Sequence, residues 1–321
     1  MQKQKDSNTD KKAFSIISGS AGHSLPEVTA KVIFTVCGVL AIVAVAVITI
    51  YMILNGMPAV MKVGIKDILF NTVWDPASKT EPSYGILYII LTSITGTFLA
   101  VLIGVPIGVL TAVFLAETAP KKLAGIVRPA VELLAGIPSV IYGLIGLMIL
   151  NPFMYKMEKL IFEGSETHQF TGGSNLLSAV LVLALMILPT VINISESSLR
   201  ALDPKLKFAS LALGASHEQT IFKVLIPAAK SGIATAVVLG VGRAIGEAMA
   251  ITLVSGSAAN FPLPFNSVKF LTTTIVSEMG YAADTHRQML FTIGLVLFIF
   301  IMIVNGVLTA ILKKGADGHE A

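Results

Sequence analysis

The chain has 321 residues, 54% of them hydrophobic and only 13% charged, with a formal net charge of +4. An ordinary soluble domain carries about 25% charged residues, so this composition excludes a soluble enzyme and marks an integral membrane protein. The basic excess does not signal nucleic acid, because Lys and Arg stand in loops beside apolar runs, where the positive-inside rule accounts for them. The single cysteine, Cys37, lies in the first apolar run and can form no intrachain disulfide.

Residues 1–23 read as a polar tail with Lys3, Lys5, Lys11 and Lys12. Ser24 and Glu27 fit a capping box before the first span. That span covers about 32–54, with Asn55-Gly56 and Pro58 as its expected stop. The first apolar run is too long for a signal-peptide core. A loop with Trp74-Asp-Pro76 leads to span two, about 84–115, where Gly104-Val-Pro106-Ile-Gly108 predicts a kink. A basic loop at 117–128 precedes span three, about 129–150, in which Gly136 and Pro138 predict a bend. Span four is expected at 176–194, span five at 233–254 and span six at 289–312. A short helix is expected at 267–279.

Six spans place both termini on one side of the membrane. With the N-terminus inside, the inner segments hold 15 Lys and Arg and the outer ones 7, which predicts cytoplasmic termini. The expected organisation is a cytoplasmic tail at 1–30, a six-span domain at 31–314 and a second tail at 315–321.

Span five contains Gly240-Val-Gly-Arg-Ala-Ile-Gly-Glu247. An ionisable side chain at membrane depth costs roughly 2.5–3.5 kcal/mol on insertion scales, so it normally faces a bundle interior or a wet cavity. Four-residue spacing puts Arg243 and Glu247 on one helical face. Gly240, Gly242 and Gly246 allow a backbone or ligand to come close. The pair reads as an anion site on a transport path, against the plainer reading of a structural ion pair.

Between spans four and five, Asp203-Pro204 starts a helix that Gly214 stops. Ser216-His-Glu-Gln219 is a capping box for a second helix, which runs to Pro227. This helix–turn–helix has no basic recognition face and both its flanks enter the membrane, so DNA binding is set aside. His217 stands alone and reads as solvated. The segment 203–227 reads as a docking element for a cytoplasmic partner.

Phe208-Ala209-Ser210, then Gly214, then Val224-Leu-Ile-Pro227 resembles the EAA loop of ABC importer permeases. Ala209, Gly214 and Pro227 match in register; Phe208 and Ser210 replace the family's Glu and second Ala. The Gly240–Glu247 stretch resembles the signature of phosphate importer permeases. Glu132-Leu-Leu-Ala-Gly-Ile-Pro-Ser139 through Gly143 resembles their span three, and Trp74-Asp-Pro with Tyr84-Gly85 favours the PstC-type subunit.

This resemblance implies an all-α, six-helix type I ABC importer permease of the MetI-like fold, with cytoplasmic coupling helices. It implies a PstA-type paralogue as heterodimer partner, two PstB-type ATPase subunits and a PstS-type phosphate-binding protein, in a bacterial plasma membrane. Arg243, Glu247, Gly242 and Gly246 then belong to the phosphate path, and Ala209, Ser210, Gly214 and Pro227 to the ATPase coupling. Ser139 and Tyr142 are candidates for lining the path, with helix packing as the alternative. Glu247 either holds Arg243 when no ligand is present or accepts a proton from a P–OH group. The chain has no Gly-x4-Gly-Lys-Ser/Thr loop, and no metal or cofactor is expected. The rivals are a permease for another oxyanion or small solute, a self-sufficient carrier or channel, and a membrane enzyme.

Overall fold

A computed structural model describes residues 25–78, 81–165 and 168–317. The expected N-terminal tail, the Ser24 cap and the end of the C-terminal tail lie outside the described residues. The chain divides into two units, Met1–Tyr51 and Met52–Ala321. In the first, the described residues are helical throughout and belong to α1, Leu25–Val63. Their apolar side chains, Phe34 and Ile42 among them, are exposed, as a helix meeting lipid requires.

The expected stop at Pro58 does not occur: α1 continues to Val63. Gly56 serves contact instead. A Cβ there would stand 3.0 Å from the Thr292 nitrogen, and Thr292 Oγ1 donates to Gly56 O at 3.0 Å. Helix α2, Ile65–Phe70, follows, and then β1, Trp74–Asp75, pairs antiparallel with β2, Ser83–Tyr84.

Helix α3, Leu87–Val113, runs through Pro106 without interruption and widens into one π turn, Phe114–Thr118. Next come α4, Lys121–Gly136, and α5, Ser139–Ile145, with a π turn at Gly146–Leu150 and α6 at Asn151–Ile161. Helix α7 spans Leu176–Arg200, α8 Pro204–Ala212 and α9 His217–Thr220. A π turn, Ile221–Leu225, joins α9 to α10, Ile226–Ala228. Then follow α11, Lys230–Gly246; α12, Met249–Val254; α13, Leu271–Glu278; and α14, Asp284–Asp317.

Among the described residues five helices are long and apolar enough to cross a membrane, and a sixth crossing is the pair 217–228 and 230–246, bent by 69°. The third crossing is displaced from expectation: it covers Ser139–Ile161, not 129–150. Residues 121–136 form the separate helix α4. Pro138 cannot donate to Leu134 O, and Ile137 before it is extended (φ −70, ψ 128). The fourth crossing also runs past its expected end, to Arg200, and the last starts five residues early, at Asp284.

The core lies where α3, α7 and α11 meet, around Ala100, Leu183, Ile187 and Ala244. Glycines set the α3–α7 distance. A Cβ on Gly104 would stand 2.7 Å from Ile187, and one on Gly108 2.8 Å from Val191. The Gly104–Gly108 stretch is thus a contact seam, as small-residue spacing in membrane helices provides. A second core packs Ile68, Tyr84 and Ile86 against Leu271, Met289 and Leu290. Its polar centre is the buried Glu278 carboxylate, which accepts from Trp74 Nε1 at 3.1 Å, from His286 Nε2 at 2.7 Å and from Lys269 Nζ. This bond gives Trp74 of the Trp-Asp-Pro loop its place.

Candidate functional site

The two charges of span five do not share a helical face. Helix α11 ends at Gly246, and Glu247 is extended (φ −74, ψ 130). The break leaves free backbone groups, and both ends are satisfied locally. Thr272 Oγ1 donates to Glu247 O at 2.8 Å, and the Glu247 carboxylate accepts from Ala250 N at 3.0 Å, capping α12. The expectation from four-residue spacing is therefore corrected. It assumed a continuous helix.

Arg243 sits on the last turn of α11, partly buried, and its Nη1 donates to Thr190 Oγ1 of α7 at 3.2 Å. Among the described residues no carboxylate oxygen forms an ion pair with it. The glycines around it divide. Gly240 is packed, with a Cβ position 3.0 Å from Val191, whereas Gly242 and Gly246 look onto open space. Arg243 thus stands beside an unfilled surface that two glycines keep free of side chains.

Tyr142 of α5 donates from its hydroxyl to Leu134 O at 2.8 Å. That carbonyl is the one Pro138 cannot serve, so Tyr142 closes the break between α4 and α5. Tyr142 also lies within electrostatic reach of Arg243 and lines an apolar cavity of about 370 Å³ with Phe153, Val182 and Leu185. Ser139 begins α5 and is partly buried. Glu132, on α4, is exposed.

The segment between α7 and α11 folds as its turn chemistry dictates. Asp203 caps α8 by accepting from Lys205 N at 2.9 Å. Gly214 has φ +84, and two bonds close the turn: Gly214 N to Leu211 O at 3.0 Å and Ala215 N to Ser210 O at 3.3 Å. This is a Schellman stop, which needs a left-handed residue at the position of Gly214. Ser216 and Gln219 form the expected reciprocal capping box. Ser210 bonds Thr220 Oγ1 at 2.9 Å in a buried contact across the hairpin. Pro227 lies in α10, just before the 69° bend. Ala209 lies inside α8, whose Leu206 and Phe208 are exposed, and Leu213 projects at the tip with 90% of its surface accessible.

Sequence reasoning missed a cluster where α7 ends. Glu196 Oε1 accepts from Arg128 Nε at 2.5 Å and from Arg200 Nε at 2.8 Å. The spacing of Glu196 and Arg200 could have announced one of these bonds; the long-range partner on α4 leaves no local signal.

Residues 104–316 match the family described as "Binding-protein-dependent transport system inner membrane component". The chain is 39% identical over 299 residues to a probable ABC transporter permease protein, YqgH, of Bacillus subtilis, covering 90% of this chain and 93% of that one. It is 34% identical over 246 residues to the phosphate transport system permease protein PstC of Pasteurella multocida, covering 74% and 76%. Among solved structures it resembles a chain of the MetNI methionine ABC transporter (TM-score 0.54, 21% identity, 72% of this chain and 95% of that one). It also resembles a chain of a bacterial alginate ABC transporter (TM-score 0.58, 15% identity, 91% and 96%). At these identities the two structures bear on the fold alone, and that fold is the one the crossings, the broken fifth span and the hairpin before it describe. The chain belongs to the inner membrane components of binding-protein-dependent transport systems, and within them to the PstC-type permeases, as a multi-pass membrane subunit of an ABC transporter.

Proposed function

We propose that this chain moves inorganic phosphate into the cell, with Arg243 as the group that receives the anion inside the membrane. The observation that carries this reading is Arg243 itself. It is a guanidinium held by one neutral hydroxyl, with no carboxylate partner among the described residues, beside the open faces of Gly242 and Gly246. A fork of N–H donors matches phosphate oxygens. One Arg leaves much of the anion's charge unmatched, so a PstA-type paralogue across the path contributes further cations. Glu247, engaged at the N-terminus of α12, acts by holding the broken helix open beside the path. Tyr142 and Ser139 line the approach.

Energy comes from two PstB-type ATPase subunits docked on the cytoplasmic side, and this subunit holds no nucleotide of its own. Leu206, Phe208 and Leu213 are exposed on the 203–227 hairpin and give it an apolar docking surface in place of the family's acidic residue. Gly214, Ala209, Ser210 and Pro227 keep that hairpin rigid enough to push α11. A PstS-type protein delivers phosphate on the outer side, and both termini are cytoplasmic in a bacterial plasma membrane. A permease for another oxyanion is the second reading, left open by the YqgH name, which specifies no substrate. The test is uptake of labelled phosphate into liposomes holding this chain and its partners, with sulfate as competitor. Uptake that needs both ATP and the binding protein, and that sulfate leaves unchanged, is the expected result. Sulfate uptake at an equal rate would favour the second reading.

A further inference from the structure

The π turn that ends α3 leaves one carbonyl without a backbone donor. Ala119 N is taken by Phe114 O at 2.7 Å, and Pro120 has no N–H, so neither can serve Leu115 O. Two guanidiniums serve it instead: Arg128 Nη2 at 3.0 Å and Arg200 Nη2 at 3.3 Å. Each also gives its Nε to Glu196 Oε1. Two of the chain's four arginines are thereby brought side by side.

These bonds do not exhaust the donors. Nη1 of both arginines has no partner among the described residues, nor have the side chains of Asn193 and Ser197. All four residues line one cavity of about 310 Å³, together with Glu132 and Glu196. Arg128 and Arg200 remain 32% and 48% exposed, so a dissolved ion reaches them.

A row of polar residues on α7 leads from the cavity toward Arg243. Thr190, Asn193, Ser197 and Arg200 fall three and four residues apart, forming one stripe on α7. Thr190 at its inner end bonds Arg243. Exposure rises along the stripe, from partly buried Thr190 and Asn193 to exposed Ser197 and Arg200. Ten residues of helix separate Thr190 from Arg200, a rise of about 15 Å.

From this geometry we infer that the Arg128–Arg200 cavity is a second oxyanion site, which binds a phosphate group after it leaves Arg243, with Glu196 as the resident competitor for the two arginines. The inference rests on the reading of Arg243 as the path residue for its order of events, though not for the site itself. Two carboxylates balance two guanidiniums here, so the site is neutral overall and holds an anion weakly. A release station needs this, because a conducting site must let its ion go. The same donors also fit the phosphate of an anionic lipid headgroup, which would come from the bilayer and not by way of Arg243.

The chain's four arginines make a site-resolved test direct. The transporter complex is placed in nanodiscs of phosphatidylcholine alone and treated with phenylglyoxal, with and without inorganic phosphate at constant ionic strength. Modification of Arg128, Arg200, Arg243 and Arg287 is then read by peptide mass spectrometry. Phosphate should slow labelling of Arg128 and Arg200 about fivefold when present at several times its dissociation constant. Exposed Arg287, on α14, is the internal control. In a parallel arm, phosphatidylglycerol replaces free phosphate; protection there assigns the site to a lipid headgroup as well or instead. Protection of neither arginine by either agent overturns the inference. Protection of Arg128 and Arg200 without Arg243 defeats the path reading alone, and the reverse pattern defeats this one alone. Glu196→Gln should lower the half-protecting phosphate concentration; an unchanged value overturns the exchange with Glu196.

Discussion

Arg243 Nη1 lies 3.2 Å from the hydroxyl of Thr190, while the carboxylate of Glu247, four residues on, turns away to the backbone of Ala250. The cation therefore meets the open surface with a neutral partner. A hydrogen bond to a charged group is worth roughly 1.5–3 kcal/mol. Thr190→Val keeps the shape and removes the acceptor. It should lower phosphate uptake by about tenfold, the equivalent of ~1.4 kcal/mol in the barrier, with the amount of protein in the membrane unchanged. Initial uptake rates normalised to membrane protein check this.

Glu247 separates charge from acceptor capacity. Its side chain caps α12, and an amide oxygen can accept the same bond. Glu247→Gln should leave thermal stability in detergent near wild type. Glu247→Ala should lower it, by about 1 kcal/mol for a lost cap. A melting comparison of the two variants decides; equal losses in both would show that the charge, not the cap, matters there.

Gly214 tests the coupling hairpin. Its Cβ direction is open, so size is not the obstacle; the φ of +84 is. A β-branched residue is a poor fit to that backbone. Gly214→Val should uncouple ATP hydrolysis from uptake or lose the ATPase on purification, and Gly214→Asn, which tolerates the left-handed region, should do much less harm. Simultaneous ATPase and uptake assays measure both.

The α3–α7 seam makes a packing prediction. Gly108→Leu forces a side chain where Val191 already stands at 2.8 Å from the Cβ position. Overpacking of this kind costs about 1–3 kcal/mol. The variant should show reduced folded yield and a lower melting point, whereas Gly125→Leu, whose Cβ direction is open, should not. Fluorescence size-exclusion profiles after heating give the comparison.

Local chemistry was legible in the sequence. The Asp203 cap, the Gly214 stop, the Ser216–Gln219 box and the Gly136–Pro138 break each depend on neighbours within a few residues, and each stands where its residues place it. Span boundaries were less legible. Apolar composition alone does not tell that α4 is separate from the third crossing, or that α1 keeps its helix through Pro58. The split of Arg243 from Glu247 was hidden because spacing speaks of one face only while the helix continues. Arg128 and Leu115 meet Glu196 and Arg200 through the fold, and no local pattern carries that meeting.

The central claim is that the guanidinium of Arg243 takes part in passing phosphate through the membrane. Arg243→Lys keeps the charge and loses the fork. In liposomes holding the complete transporter, with equal incorporation and intact ATPase assembly, ATP-driven uptake of labelled phosphate by this variant should fall at least about tenfold, a loss of ~1.4 kcal/mol or more. Uptake by Arg243→Lys and Arg243→Ala at the rate of the unaltered protein would contradict it.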